Sequence, residues 1–150
     1  MNLRLANISD LPKLKAVYGN IIDNMNRNNI SIWDDIYPCE FFSDDIENNR
    51  LYLLVEEHDI IVAAFALCES NAGEGYVKWE NTHSKALYLD RLGVNVDYSR
   101  QGIGSMMLKH AIMLTKQKNA LVHPARQQRK GAVAAALSDQ NRVILAKFKK

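Results

Sequence analysis

Apolar residues recur at three- and four-residue steps from Leu14 through Val17, Tyr18, Ile21 and Ile22 to Met25, the stripe of an amphipathic helix laid on something flat. Ser9 and Asp10 stand where a helix cap is wanted, and Pro12 is tolerated in a first turn, where its missing N–H would have no partner anyway. Ahead of them Leu3, Arg4, Leu5 and Ala6 predict a short alternating strand. A second short helix is expected from Glu40 to Ile46. Two β-like runs follow, Leu51 to Glu56 and Ile60 to Cys68, and Glu57, His58 and Asp59 between them predict a hairpin. Asn71 to Gly75 is turn material. Leu87 to Val96 makes another strand. Ile103 to Lys118 makes a long helix with Ile103, Met107, Ala111 and Leu114 turned inward and Leu108, Ile112 and Thr115 alongside. The order strand, helix, helix, hairpin, strand, helix predicts an α/β fold, one three-layer domain around a central sheet.

Composition narrows this further. With 150 residues, 47% of them hydrophobic, the chain can fill a single core, and a large multidomain reading is excluded. Charged residues make up 24% in both signs and the formal net charge is +2, which argues against disorder. The longest apolar run, Ile60 to Cys68, is nine residues long, far short of the ~18 that span a bilayer, so no membrane partner is expected. Arg4 and Asp10 interrupt the N-terminal stretch, so a secretory leader is not expected. Cys39 and Cys68 form no framework, which fits a reducing, cytoplasmic location. His58, His83, His110 and His123 show no ligand spacing, and no metal is expected. The charge is uneven, however: residues 121–150 hold seven Lys or Arg against Asp139 alone. Such a tail attracts a polyanion or simply keeps the end soluble. The second reading is preferred, because beyond Phe148 the tail has no aromatic residue for nucleic-acid bases to stack on.

The stretch that carries chemistry runs from Leu89 to Ser105, where a glycine-rich turn lies between a buried strand and a helix. Gly102 and Gly104 lack side chains, so successive backbone N–H groups can face an anion at the positive end of the helix. That is a phosphate cradle. Met107 occupies the place of the third glycine of a dinucleotide fingerprint, and no Gly-Lys-Ser/Thr occurs, so neither a dinucleotide nor ATP is favoured. On the residues alone, a tight structural turn is an equal alternative.

Gln101-Gly102-Ile103-Gly104-Ser105-Met106-Met107-Leu108 resembles the core signature of the GCN5-related N-acetyltransferase (GNAT) family, Gln/Arg-x-x-Gly-x-Gly/Ala followed by an amphipathic helix. Upstream, the run from His58 to Leu67 is similar to the family's hairpin, with Ala64 where glycine is usual, and Ile32 to Pro38 resembles a segment of one group of small bacterial members. The similarity spans residues 3–119. Two departures stand out. Ser99 replaces the motif's leading Gln or Arg, leaving the backbone cradle and the Arg100 and Gln101 side chains. After Ala120 the family's Asn-x-x-Ala helix, its tyrosine and its Gly-Phe are missing, and all six tyrosines lie at or before Tyr98. Residues 1–120 therefore read as an acetyltransferase core and 121–150 as a basic, atypical segment with room for a helix over 126–138 and a strand over 143–148. An altered reading frame, a truncation and a divergent end all fit that tail. A sheet lacking its last strands could complete itself on a second copy, as a homodimer.

The resemblance implies the acyl-CoA N-acyltransferase fold, α/β/α layers on a mixed, mostly antiparallel sheet that the tail leaves open to being incomplete. It implies an enzyme that moves the acetyl group of acetyl-CoA, its cosubstrate, to a primary amine of a small molecule or peptide by direct attack. The diphosphate would rest on Arg100, Gln101, Gly102, Ile103, Gly104 and Ser105. The pantetheine arm would run along Leu92, Gly93 and Val94, with Gly93 allowing close approach and the Leu92 amide polarising the thioester carbonyl. An amine with a pKa of about 10.4 must lose a proton first, so a base is required. Asp90 and Tyr88 lie two and four residues from Leu92, on one strand face by the pleat rule. Asp90 would take the proton and Tyr88 orient a water or face the acceptor; a surface ion pair with Arg91 and a packed sheet aromatic are the plainer alternatives. Trp33 and Tyr37 would form an apolar lid over the acceptor or anchor the core. Trp79 and His83 read as surface loop, and Met106, Met107 and Met113 as helix packing. Two other functions stay open: a module that binds coenzyme A without turnover, and a nucleic-acid or protein interaction module led by the basic tail.

Overall fold

The computed structural model describes residues 1–69, 87–122 and 143–145, with side chains through residue 118. Its elements are β1 (Asn2–Leu5), α1 (Leu11–Arg27), α2 (Phe42–Glu47), β2 (Leu51–Glu56), β3 (Ile60–Cys68), β4 (Leu87–Val94), α3 (Ile103–Val122) and β5 (Val143–Leu145). They form two compact units, Met1–Ala66 with Arg91–Met107, and Leu67–Asp90 with Leu108–Lys150. The helix expected over 126–138 and the loop residues Trp79 and His83 lie outside the described residues.

In the first unit the strands follow the order β1-β2-β3-β4. β1 pairs antiparallel with β2, Leu3 opposite Leu54, and β2 pairs antiparallel with β3 through Tyr52↔Phe65 and Leu54↔Ala63. His58 and Asp59 turn the hairpin in the left-handed region, with φ of 62° and 56°. Between Leu54 and Val55 the register skips Val62, a bulge on β3. Residues Ile61 to Cys68 are all buried, and since successive side chains leave opposite faces, β3 is covered on both sides. α1 buries the expected stripe of Leu14, Tyr18, Ile21 and Ile22. Around Tyr18 the core is aromatic: Trp33 stacks on its ring with centroids 5.4 Å apart, and Phe42 meets it edge-on at 4.8 Å.

Asp10 holds the cap position of α1, as expected, without a side-chain bond to the helix's own N–H groups. Asn7 caps the single 3-10 turn Ile8–Asp10 just ahead of it, its side-chain oxygen accepting from the Ser9 N–H at 3.0 Å, while the Asp10 carboxylate accepts from the Asn7 N–H at 2.8 Å. The Asp10 carboxylate also takes two hydrogen bonds from Arg4 of β1, at 2.8 and 2.9 Å, tying the first strand to the first helix. Those hydrogen bonds from Arg4 hold the Asp10 carboxyl below the usual carboxylate range, against the opposing effect of burial.

In the second unit the start of β4 pairs antiparallel with β5, Tyr88 opposite Ile144. α3 begins in the first unit, where Ile103 and Met107 are buried; in the second unit its buried positions are Ala111 and Thr115, not the expected Leu114, and the Thr115 hydroxyl donates to the Ala111 carbonyl at 2.8 Å. Met106 and Met113 are exposed, so of the three methionines only Met107 is core packing. No helix among the described residues is long and apolar enough to cross a membrane.

Candidate active site

The glycine turn is carried on an anchor that the sequence did not reveal. At the β3 bulge the carbonyls of Ile61 and Val62 turn to Asn95, accepting from its side-chain amide at 2.9 Å and its backbone N–H at 2.8 Å. The Asn95 side-chain oxygen then accepts from the Asp97 N–H at 3.1 Å and caps a single 3-10 turn, Val96–Tyr98. Tyr98 closes that turn by donating its hydroxyl to the Glu56 carboxylate at the end of β2. That bond to Glu56 pushes the Tyr98 phenol above its ordinary pKa and keeps it protonated. Three contacts to β2 and β3 thus fix where the chain stands when it enters the turn.

From there the backbone opens. Arg100 and Gly102 both lie in the left-handed region, with φ of 59° and 75°, and α3 begins at Ile103. Successive residues of alternating hand form a concave row of N–H groups, the geometry that takes anions. The first helical hydrogen bond runs from the Met106 N–H to the Gly102 carbonyl at 3.1 Å. Among the described residues, none of the amides of Arg100, Gln101, Gly102, Ile103, Gly104 or Ser105 has a hydrogen-bond partner. A Cβ at Gly102 would meet nothing within 4 Å, and one at Gly104 would only touch a Val94 methyl at 3.9 Å. The residues expected to hold a diphosphate therefore present donors, open space and the positive end of a 20-residue helix.

β4 is quite different. Arg91 is buried and left-handed at φ 55°, inside a strand. Its guanidinium takes Asp45 of α2 in a two-pronged ion pair, both contacts at 2.7 Å, and lies 5.2 Å from the centre of the Phe41 ring. The Tyr18 hydroxyl donates to the Arg91 carbonyl, with the Ala64 carbonyl 3.2 Å away. A Cβ at Gly93 would sit 2.8 Å from the Tyr18 ring and 3.0 Å from an Ile21 methyl. Within the chain, Gly93 is thus required by the packing of α1. A left-handed residue at Arg91 departs from the regular pleat on which the face argument for Tyr88, Asp90 and Leu92 is built.

Of the other expected site residues, Tyr88 and Asp90 are fully buried in the second unit. Asp90 is therefore not a surface residue. Trp33 is buried against Tyr18 as a core aromatic. Tyr37 is half-buried and meets Phe41 edge-on at 5.3 Å. The loop carrying both is folded around Asp34, whose carboxylate accepts from the Tyr37 and Ile36 N–H groups at 2.7 and 2.9 Å. Those two N–H groups hold the Asp34 carboxyl below its ordinary pKa. Neither aromatic lines the cleft that opens beside α1. That cleft, of about 470 Å³, is bounded by Lys15, Gly19, Ile22, Asp23, Asp35, Ile36, Cys39 and Glu40. Burial pushes the Cys39 thiol up, so it stays protonated at neutral pH. Among the described residues no cluster of His, Cys, Asp or Glu could hold a metal ion.

The fold is shared with known proteins. No curated protein matches the chain in sequence. Solved structures do match in fold. One is an acetyltransferase of the GNAT family from Streptococcus agalactiae, 15% identical, with 99% of this chain and 95% of that chain covered at a TM-score of 0.69. Another GNAT-family acetyltransferase, from Listeria monocytogenes, is 16% identical over 95% and 91% of the two chains at a TM-score of 0.67. A predicted acetyltransferase from Clostridium acetobutylicum, in a structure with acetyl-CoA, is 21% identical over 79% and 75% at a TM-score of 0.55. The α/β acyltransferase fold expected from the sequence is the fold of these neighbours. The sequence profile of the acetyltransferase (GNAT) family matches residues 20–136, and on that match, with the fold and the glycine turn in agreement, the chain belongs to that family.

Proposed function

We propose that this chain transfers the acetyl group of acetyl-CoA to a primary amine of a small molecule or peptide. The observation that carries the reading is the run of six successive amides, Arg100 to Ser105, without partners among the described residues at the start of α3. The diphosphate of acetyl-CoA supplies the charge and the acceptor oxygens that such a row lacks. Leu92, Gly93 and Val94 would pair with the pantetheine arm, and the Leu92 N–H would donate to the thioester carbonyl as negative charge builds on its oxygen. The amine nitrogen attacks the carbonyl carbon, the C–S bond breaks, and coenzyme A leaves as a thiolate that takes up a proton. Asp90, two residues along the chain from Leu92, is proposed to receive the proton the amine gives up, with Tyr88 beside it in sequence as a partner for water or acceptor. The cleft beside α1 supports an amine that arrives as a cation, since Asp23, Asp35 and Glu40 face Lys15 alone across it. Trp33 and Tyr37 would then act by shaping the loop that supplies Asp35, Ile36 and Glu40.

A second reading rests on the absence of any tyrosine after Tyr98, where the family resemblance leads one to expect the acid that protonates the departing thiolate. Without it the chain could hold acetyl-CoA and turn it over slowly or not at all. One experiment separates the two. Acetyl-CoA at about a hundred times its Kd should raise Tm by roughly 5–10 °C, and a panel of primary amines should release free thiol. Stabilisation without thiol release selects the binding module, and an unchanged Tm rejects both.

A further inference from the structure

The peptide group between Arg91 and Leu92 is gripped from one side. Its carbonyl belongs to Arg91 and accepts the Tyr18 hydroxyl; its N–H belongs to Leu92. In a planar trans peptide the two point in opposite directions, so whatever fixes the carbonyl aims the N–H. A hydrogen bond to the carbonyl also polarises the group and makes the N–H a stronger donor. We propose that Tyr18 is a positioning residue for acetyl transfer: by holding the Arg91 carbonyl, it sets the direction and donor strength of the Leu92 N–H that meets the thioester. The inference rests on the acetyl-CoA reading of β4 given above.

The surroundings of Tyr18 leave it little freedom to do anything else. Its ring is fully buried, stacked on Trp33, met edge-on by Phe42, and seated in the space that a side chain at position 93 would fill. Burial pushes its phenol far above the ordinary value, so it remains a neutral donor throughout the physiological range. The left-handed turn at Arg91 that this bond serves is uncommon for a residue with a side chain, and the Asp45 pair secures the same residue by its guanidinium. Grip on both the carbonyl and the side chain of one strand residue is more than packing a strand requires. It is what aiming the next amide requires.

The test is isotope-edited infrared difference spectroscopy of acetyl-CoA, labelled at the acetyl carbonyl and bound to the protein. In the natural chain the bound carbonyl stretch should lie below its free value. In Tyr18→Phe it should return most of the way, while affinity for free coenzyme A, which has no acetyl group, changes by less than about twofold. With the best amine of the panel, kcat should fall about tenfold with little change in KM, less than the hundred- to thousand-fold cost of deleting such a donor outright. A merely structural role would lower Tm and leave the bound stretch where it was. Should Tyr18→Phe fail to fold, fluorotyrosine at position 18, a stronger donor of nearly the same size, should move the stretch further down. An unmoved stretch in the variant that folds overturns the proposal alone. A natural chain whose Tm and spectrum ignore acetyl-CoA overturns the acetyl-CoA reading, and this inference with it, before any variant is made.

Discussion

Two glycines eleven residues apart, Gly93 in β4 and Gly104 in α3, occupy opposite kinds of place. At Gly93 a Cβ would press within 2.8 Å of a rigid, fully buried tyrosine ring; at Gly104 it would meet one methyl group at 3.9 Å. The chain's own packing accounts for the first and leaves the second without a reason. The same contrast runs through their neighbourhoods. Around Gly93 the polar groups of Tyr18, Asp45 and Arg91 are buried and paired, whereas from Arg100 to Ser105 the amides have no partner among the described residues. Around Gly93 the side chains of Tyr18, Asp45 and Arg91 set the shape of the strand before anything binds. The open donors of the anchored turn are what the proposed function assigns to a ligand.

That contrast can be broken most forcefully at Asp45. Asp45→Ala leaves the buried Arg91 guanidinium without its two-pronged carboxylate partner, and equilibrium denaturation should show a loss of about 3–5 kcal/mol. Gly93→Ala should cost about 1–3 kcal/mol by the same measurement, because Tyr18, wedged between Trp33 and Phe42, cannot yield a few tenths of an ångström freely. If Gly93→Ala were neutral in stability, Gly93 too would need an explanation from outside the chain. Outside both regions, Asp10→Asn should cost about 1 kcal/mol at neutral pH, the usual worth of a helix-start interaction. Its pH dependence has a definite sign. Because Arg4 depresses the folded Asp10 pKa, the stabilisation is complete above the unfolded value of about 4 and disappears as pH falls through the depressed one. Natural chain and variant should therefore converge in Tm in strong acid.

How much of this was legible beforehand follows the range of the interactions. The stripe of α1, the hairpin, the buried run of β3 and the turn before α3 are local patterns, and periodicity and glycine placement display them. Tyr18 was visible only as one member of that stripe. Its hydroxyl finds the Arg91 carbonyl 73 residues later, and no local signal announces such a pairing. Asp45 and Arg91 are 46 residues apart, and Asn95 meets the bulge carbonyl of Ile61 34 residues upstream. The left-handed conformation of Arg91 was equally hidden, since a glycine or asparagine would have hinted at it and an arginine does not. That conformation also departs from the regular pleat on which the expectation that Asp90 and Leu92 share a face is built. Trp33 and Tyr37 stand out in the sequence as the aromatic residues of the loop after α1. Which of that loop's residues face the cleft depends on how Asp34 folds the backbone, and it turned Asp35, Ile36 and Glu40 outward instead.

The most direct measurement of the central claim is acetyl-CoA binding by Gly104→Glu, followed by calorimetry beside a thermal melt. A glutamate in the first turn of a helix is favourable for the helix and has room here, so Tm without ligand should stay the same or rise slightly. Its carboxylate would compete for the open amides and repel a diphosphate, so binding should be lost. A variant that melts like the natural chain and still binds acetyl-CoA with undiminished affinity would contradict the account.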